Sequence, residues 1–358
     1  MIYVHVPFCE TFCTYCGFYS ELCGAGKAEA YAKAVCKEIH DRAEEFDDSL
    51  RTLYFGGGTP SKLPVKQLTE ILLALESVGH GGPYAEFTME VNPEDIVVLG
   101  PSYLESLKLL GVDRISIGVQ SFNDDMLRWM NRRHNAARAE EAFRMVREAG
   151  FANVSLDLMF GMSNLEDSVW EETVDKALAL KPEHISCYQL SIEDDTPLAD
   201  MIQSGKYAPM EDEKCWKQYY TLCSKAGEAG YSHYEISNFA LPGFESVHNS
   251  GYWQRIPYVG LGPSAHSYLG NRRSWNSSVI SGYRATSEEL SPEDIRVENI
   301  MLSLRTARGI DASYLFKNCS ESVIDSLVGE GALVRQGGRF RIPESRFFVS
   351  DEIIRELI

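Results

Sequence analysis

Tyr3-Val4-His5-Val6-Pro7-Phe8-Cys9-Glu10-Thr11-Phe12-Cys13-Thr14-Tyr15-Cys16 is the stretch on which the fold turns. It begins in a short apolar run, Ile2–Val6, of the kind that forms a buried strand. It then sets three cysteines at the spacing Cys-x-x-x-Cys-x-x-Cys. Three thiolates this close are a soft-metal ligand set. A structural zinc takes four protein ligands, whereas a [4Fe-4S] cluster held by three cysteines leaves one iron open to a small molecule. The zinc alternative needs a fourth ligand, for which Cys23 and His5 are the candidates.

Five more apolar runs follow: Thr52–Phe55, Glu86–Val91, Arg114–Val119, Val154–Leu158 and His184–Leu190. Helical periodicity fills the gaps, most clearly over Ala28–Phe46 and Val65–Val78. Six strand-helix units predict an α/β fold with a parallel sheet, open or curled into a partial (β/α)6 barrel. Helical segments resume over Asp212–Gly227. From about Tyr231 to about Gly282 the chain shifts to short elements rich in Gly, Pro, Asn and aromatics. Helices are then expected over Pro292–Leu304, Ala312–Phe316 and Ser320–Glu330. A hairpin, Ala332–Gln336 and Arg339–Pro343, turns on Gly337-Gly338. The organisation expected is a core over 1–230, an extension over 231–285, and a smaller α+β C-terminal domain over 286–358 containing a winged-helix-like segment.

Bulk properties narrow the function. A formal charge of −18 and an isoelectric point near 4.9 argue against broad phosphate-backbone binding, so no nucleic-acid partner is expected. The third tail helix agrees, carrying Glu321, Asp325 and Glu330 and no lysine or arginine. No run of 18 apolar residues predicts a membrane span. Met1 leads straight into a strand, so no secretory leader is expected. The nine cysteines are odd in number and scattered beyond the first three, which suits a reduced cytoplasm and not a disulfide framework.

In parallel sheets ligands bind at the carboxyl ends of the strands. The first strand leads into the cysteines and the second into Gly56-Gly57-Gly58-Thr59-Pro60. Such a glycine run is also an ordinary turn when it stands alone. The third strand delivers Glu90, the fourth ends Gly118-Val119-Gln120-Ser121, and the fifth carries Asp157 ahead of Gly161. Each polar residue singly reads as a satisfied buried group or a helix cap. Several carboxylates converging without a partner would cost several kcal/mol, about what a cationic or hydroxyl-bearing ligand offsets.

These motifs resemble the radical S-adenosylmethionine (SAM) superfamily. Further strings narrow the resemblance to the branch holding the oxygen-independent coproporphyrinogen III oxidase, HemN, and the heme chaperone HemW, and it lies closest to HemW. They include Asn131-Arg132, Asp157–Gly161, Tyr234–Ala240, His248–Trp253, Gly260–His266 and Glu298–Arg305. The resemblance implies a cluster on Cys9, Cys13 and Cys16 whose open iron chelates the methionine end of SAM, with electron transfer cleaving the sulfonium. It implies SAM contacts from Tyr3, Gly57 and Glu90. In the oxidase, positions matching Tyr15, Gly58, Thr59, Gln120, Arg132 and Asp157 lie near a second SAM.

Three features point to the chaperone type. Phe18 stands where the oxidase has a further cysteine, and the chain begins just ahead of the Tyr3–Cys9 string where the oxidase has a longer segment. His248-Asn249-Ser250-Gly251-Tyr252-Trp253 matches the His-Asn-x-x-Tyr-Trp string of HemW-like proteins, which makes His248 a candidate heme ligand and His266 a second. Gly17 and Met162-Ser163-Asn164 depart from the usual Asp and Leu-Pro of that type. The partners implied are heme, heme-accepting proteins and an electron donor for the cluster. The alternative is a radical SAM enzyme on a porphyrin: the oxidase itself, a HemN-like methylase or a heme-cleaving relative.

Overall fold

The computed structural model describes residues 1–47, 49 and 51–358. Its main sheet contains six strands in chain order: β1 (Ile2–Val6), β2 (Thr52–Gly57), β3 (Glu86–Val91), β4 (Arg114–Gln120), β5 (Asn153–Phe160) and β6 (His184–Gln189). Every neighbouring pair among them is parallel. The crossovers carry the helices α1 (Lys27–Asp41), α2 (Val65–Ser77), α3 (Pro101–Leu109), α4 (Ala136–Glu148) and α5 (Asp167–Leu180). This is the partial (β/α)6 barrel expected from the alternation of strands and helices.

The strands alternate sharply between two faces. Ile2, Val4, Val6, Leu53, Phe55, Phe87, Met89, Ile115, Ile117, Leu156 and Leu158 are buried together with the inner stripes of the helices, such as Tyr31, Val35 and Ile39 of α1. Each such side chain contributes about 1.5–3 kcal/mol. The intervening positions carry Tyr54, Glu90, Arg114, Ser116, Gln120, Asp157 and Ser186, which face the other way. A parallel sheet covered by helices on both faces reads as nearly continuous apolar residues. Alternation here marks a sheet curled around a polar interior.

Three strands not assigned from the sequence extend the sheet. β7 (Ser232–Glu235) and β8 (Asn238–Ala240) add antiparallel beyond β6, and β9 (Val259–Leu261) pairs parallel with β1. At three or four residues they are too short for periodicity to reveal. The neighbouring helices are α6 (Asp212–Glu228), ahead of β7, and α7 (Val247–Trp253), between β8 and β9, which carries the His-Asn-x-x-Tyr-Trp string. A separate antiparallel sheet holds β10 (His266–Leu269), β11 (Arg272–Asn276) and β12 (Ala285–Glu289).

The tail contains α8 (Pro292–Leu304), α9 (Ala312–Asn318) and α10 (Glu321–Gly329). Ser291 and Asp294 form a capping box at the start of α8. The hairpin is β14 (Val334–Gln336) and β15 (Arg339–Arg341), and β13 (Ile310–Asp311) completes a three-stranded sheet in the winged-helix manner. Gly337 and Gly338 have φ of 57° and 81°, as a two-residue hairpin turn requires. Among the described residues no helix is long and apolar enough to cross a membrane, and all nine cysteines are free thiols.

Candidate functional site

A cavity of about 760 Å³ runs from the carboxyl ends of the strands down into the barrel. Cys9, Cys13 and Cys16 line it together, with Tyr15 between them. The cysteine loop is tied down on several sides. Thr14 N–H donates to Met130 O at 3.1 Å and Thr14 Oγ1 to Trp129 O at 2.8 Å, while Asn131 Nδ2 donates to Phe12 O at 2.7 Å. Arg133 bridges Glu10 of the loop and buried Asp95, each at 2.8 Å, and Lys62 joins the same pair of carboxylates.

The glycine loop lies against the start of the cysteine loop. A Cβ on Gly58 would come within 2.9 Å of the Pro7 carbonyl carbon, and Gly58 N–H donates to Val6 O at 2.9 Å. Gly57, at φ 110°, would drive a Cβ into the His5 ring. The glycines are therefore required by the packing of one loop on the other. Gly57, Gly58 and Thr59 still line the cavity, and Thr59 Oγ1 is 3.5 Å from Cys9 Sγ.

Gln120 sits at φ 66°, after an irregularity in the β4–β5 register between Ile117 and Gln120. Such a bulge re-aims the side chain at the strand end. Asn131, at φ 58°, performs a similar turn just before Arg132. Arg132 donates to Gly118 O at 2.5 Å and to Cys13 Sγ at 3.4 Å. Burial pushes the Cys16 thiol up to about 11.

Glu90 and Asp157 form the acidic wall. Tyr54 OH donates to Glu90 Oε1 at 2.7 Å and Gly57 N–H to Oε2 at 3.2 Å. Burial, reinforced by the Asp157 charge, still raises the Glu90 carboxyl from 4.5 to about 7. Ser116 Oγ donates to Asp157 Oδ1 at 3.0 Å, and burial raises that carboxyl as well. Tyr3 lies one layer behind the cavity lining, its hydroxyl bonded to His5 Nδ1 at 3.1 Å and its ring 6.1 Å from that of Tyr54.

Neither candidate histidine lines the cavity. His248 is 1% exposed, with Nδ1 bonded to Thr52 Oγ1 at 2.8 Å and Nε2 to Tyr252 OH at 3.0 Å. Both nitrogens are thus engaged in this conformation, and burial lowers the imidazole to about 3, keeping it neutral. α7 plugs the amino-terminal end of the barrel. The Glu86 carboxylate accepts from Val247 N–H at 2.8 Å, His248 N–H at 2.9 Å and Ser246 Oγ at 3.2 Å, and the next residue, Asn249, reaches the cavity. His266 lies on β10, exposed and stacked on Trp275 at 6.1 Å.

Tyr54, Arg114, Ser116, Ser186, Tyr188 and Asn249 also line the cavity and were not among the site residues expected from the sequence. The alternation in Arg114-x-Ser116-x-Gly118-x-Gln120 was the available signal. The donor set suits an iron–sulfur cluster. Among the described residues no three His, Cys, Asp or Glu side chains converge on one metal ion. A cluster asks for no such convergence, because each thiolate binds a different iron. The acidic wall next to the thiols suits a cationic ligand carrying hydroxyls.

Comparison with known proteins agrees with this geometry. Residues 3–177 match the Radical SAM superfamily. The heme chaperone HemW of Bacillus subtilis is 36% identical, covering 86% of this chain and 84% of the relative. HemW of Synechocystis is 34% identical over 86% of this chain and 78% of the relative. The coproporphyrinogen III oxidase HemN of Escherichia coli superposes with a TM-score of 0.82 at 20% identity, covering 99% of this chain and 89% of that one, which shows a shared fold. Such membership implies a [4Fe-4S] cluster and SAM. The chain belongs to the HemW family of the radical SAM superfamily.

Proposed function

We propose that the protein is a cytoplasmic heme chaperone that binds heme beside a SAM-loaded cluster and hands it to acceptor proteins. The carrying observation is the aromatic rim of the cavity. Phe12, Phe18 and Tyr188 all line it and all are exposed, Phe18 by 69%. Exposed aromatics grouped at one mouth mark a binding surface, and flat rings suit a porphyrin face. A sealed reaction site would cover them.

Cys9, Cys13 and Cys16 would hold the cluster, with Arg132 against Cys13. Glu90, Asp157 and Gln120 would receive SAM, with Gly57, Gly58, Thr59 and Tyr15 closing round it and Tyr3 backing Tyr54. Held by these three cysteines and reduced by an electron donor, a cluster would supply the electron for cleaving a sulfonium. For the iron of heme, His266 offers an exposed imidazole, and His248 serves only after releasing Thr52 or Tyr252.

The test is an anaerobic heme titration of the cluster-loaded chain against a Phe12→Ser/Phe18→Ser variant. We expect a saturable Soret shift that weakens about tenfold or more in the variant. An unchanged titration would remove the rim from the site. Decarboxylation of coproporphyrinogen III by the wild type would favour the oxidase reading instead.

A further inference from the structure

We propose that Arg114 is a carboxylate-binding residue on the floor of the cavity, and that it takes a propionate of the tetrapyrrole cargo. The second half rests on the heme-chaperone reading. Arg114 lines the cavity yet is only 1% exposed. No carboxylate among the described residues comes within salt-bridge distance of it, and its Nε has no hydrogen-bond partner. The Glu90 and Asp157 charges act on the guanidinium from beyond that distance, yet the unpaired buried donor still costs about 1–3 kcal/mol, and native structures seldom tolerate one without a purpose.

The acids nearest in the sheet are already committed. Glu86 caps α7, Glu90 is held by Tyr54 and Gly57, and Asp157 is held by Ser116. The two cross-strand neighbours of Arg114 share its condition. Thr88 and Asn153 are its register partners on β3 and β5, and Thr88 Oγ1 and Asn153 Oδ1 are likewise buried without partners. Of these three unsatisfied side chains Arg114 alone lines the cavity, so the donor presented there is a guanidinium. That chemistry recognises a carboxylate.

Position selects the source. Arg114 precedes Gly118 by four residues, and Arg132 bridges Gly118 O to Cys13. At about 3.3 Å per residue its Cα lies ~13 Å along the strand from that of Gly118, the residue that Arg132 ties to Cys13. The methionine carboxylate of SAM belongs at the cluster end. A porphyrin entering past Phe18 presents its propionates as the groups able to reach the floor.

The experiment titrates the cluster-loaded full chain with heme, with heme dimethyl ester and with SAM, in wild type, Arg114→Gln and Arg114→Lys. We expect wild type to bind heme about ten- to a hundredfold more tightly than the ester, the range for a charge-assisted bond. Arg114→Gln should lose that preference without weakening SAM, and Arg114→Lys should regain part of it. Equal binding of acid and ester by wild type overturns the assignment without needing any variant. Weaker SAM binding in Arg114→Gln with the acid-to-ester ratio intact overturns it in favour of the methionine carboxylate. If neither porphyrin binds wild type, the cargo reading itself fails and the propionate falls with it.

Discussion

Replacing Glu90 by glutamine should change how the stability of the cluster-free chain depends on pH. The wild-type carboxyl is raised from 4.5 to about 7, chiefly by burial and then by Asp157. The unfolded chain therefore releases this proton about 2.5 units before the folded chain does. Between those values the folded state binds more protons, so stability falls as pH rises, by about 1.36 kcal/mol per unit. Integrated from pH 5 to pH 8, the single group removes about 2.5 kcal/mol, an upper figure because the carboxyl faces the cavity. In Glu90→Gln the amide oxygen would still accept from Tyr54, but the amide nitrogen could no longer accept the second bond from Gly57. The variant should thus lose about 1 kcal/mol at low pH and overtake wild type at pH 8. Anaerobic urea denaturation at pH 5, 6, 7 and 8 measures this, and the difference between the two proteins isolates Glu90 from the other titrating groups. Parallel pH curves would refute the assignment of a raised carboxyl at this position.

Other expectations follow from single contacts. His248→Ala removes a buried ring and leaves Thr52 and Tyr252 without their partner, so it should destabilise by about 2–4 kcal/mol in denaturant midpoint shifts. Replacing any of Cys9, Cys13 or Cys16 by Ser should abolish bound iron and sulfide in the reconstituted protein, whereas Cys23→Ser should leave both at wild-type levels. If Cys23→Ser also empties the site, a four-ligand metal site is the better reading. Arg133→Met strips Asp95 and Glu10 each of one of two cations while Lys62 stays on both, so a loss of about 1–2 kcal/mol and faster cluster loss in air are expected. An unchanged rate of bleaching would show that these pairs do not hold the loop.

Much of the barrel was legible because its strands are separated by long amphipathic helices. Helices α2 and α8 match the sequence reading at or within a residue of their ends. Strands ran on at their carboxyl ends, to Gly57 and to Phe160, because backbone pairing continues where side-chain pattern stops. β7, β8 and β9 were missed because three or four residues leave no period to count. The polar strand ends were legible by type, and the structure brings Glu90, Gln120 and Asp157 to one cavity. The depth of that cavity was not legible, since it depends on which strand face turns inward. Arg114 looked like the opening of an apolar run, and only the curl of the sheet makes it a floor. His248 shows the opposite error of scale. Its motif was conspicuous in sequence, yet the fold spends both ring nitrogens on Thr52 and Tyr252 and uses α7 to close the barrel.

In the proposed role heme is carried and released, not chemically altered. The most direct measurement loads the cluster-bearing chain with one equivalent of heme under anaerobic conditions with SAM, adds an apo-heme protein such as apomyoglobin, and follows the Soret band and the recovered porphyrin by mass. A chaperone should transfer heme of unchanged mass to the acceptor at a rate that depends on SAM or on the cluster. Recovery of a methylated, cleaved or decarboxylated porphyrin, or the absence of any transfer, would contradict it.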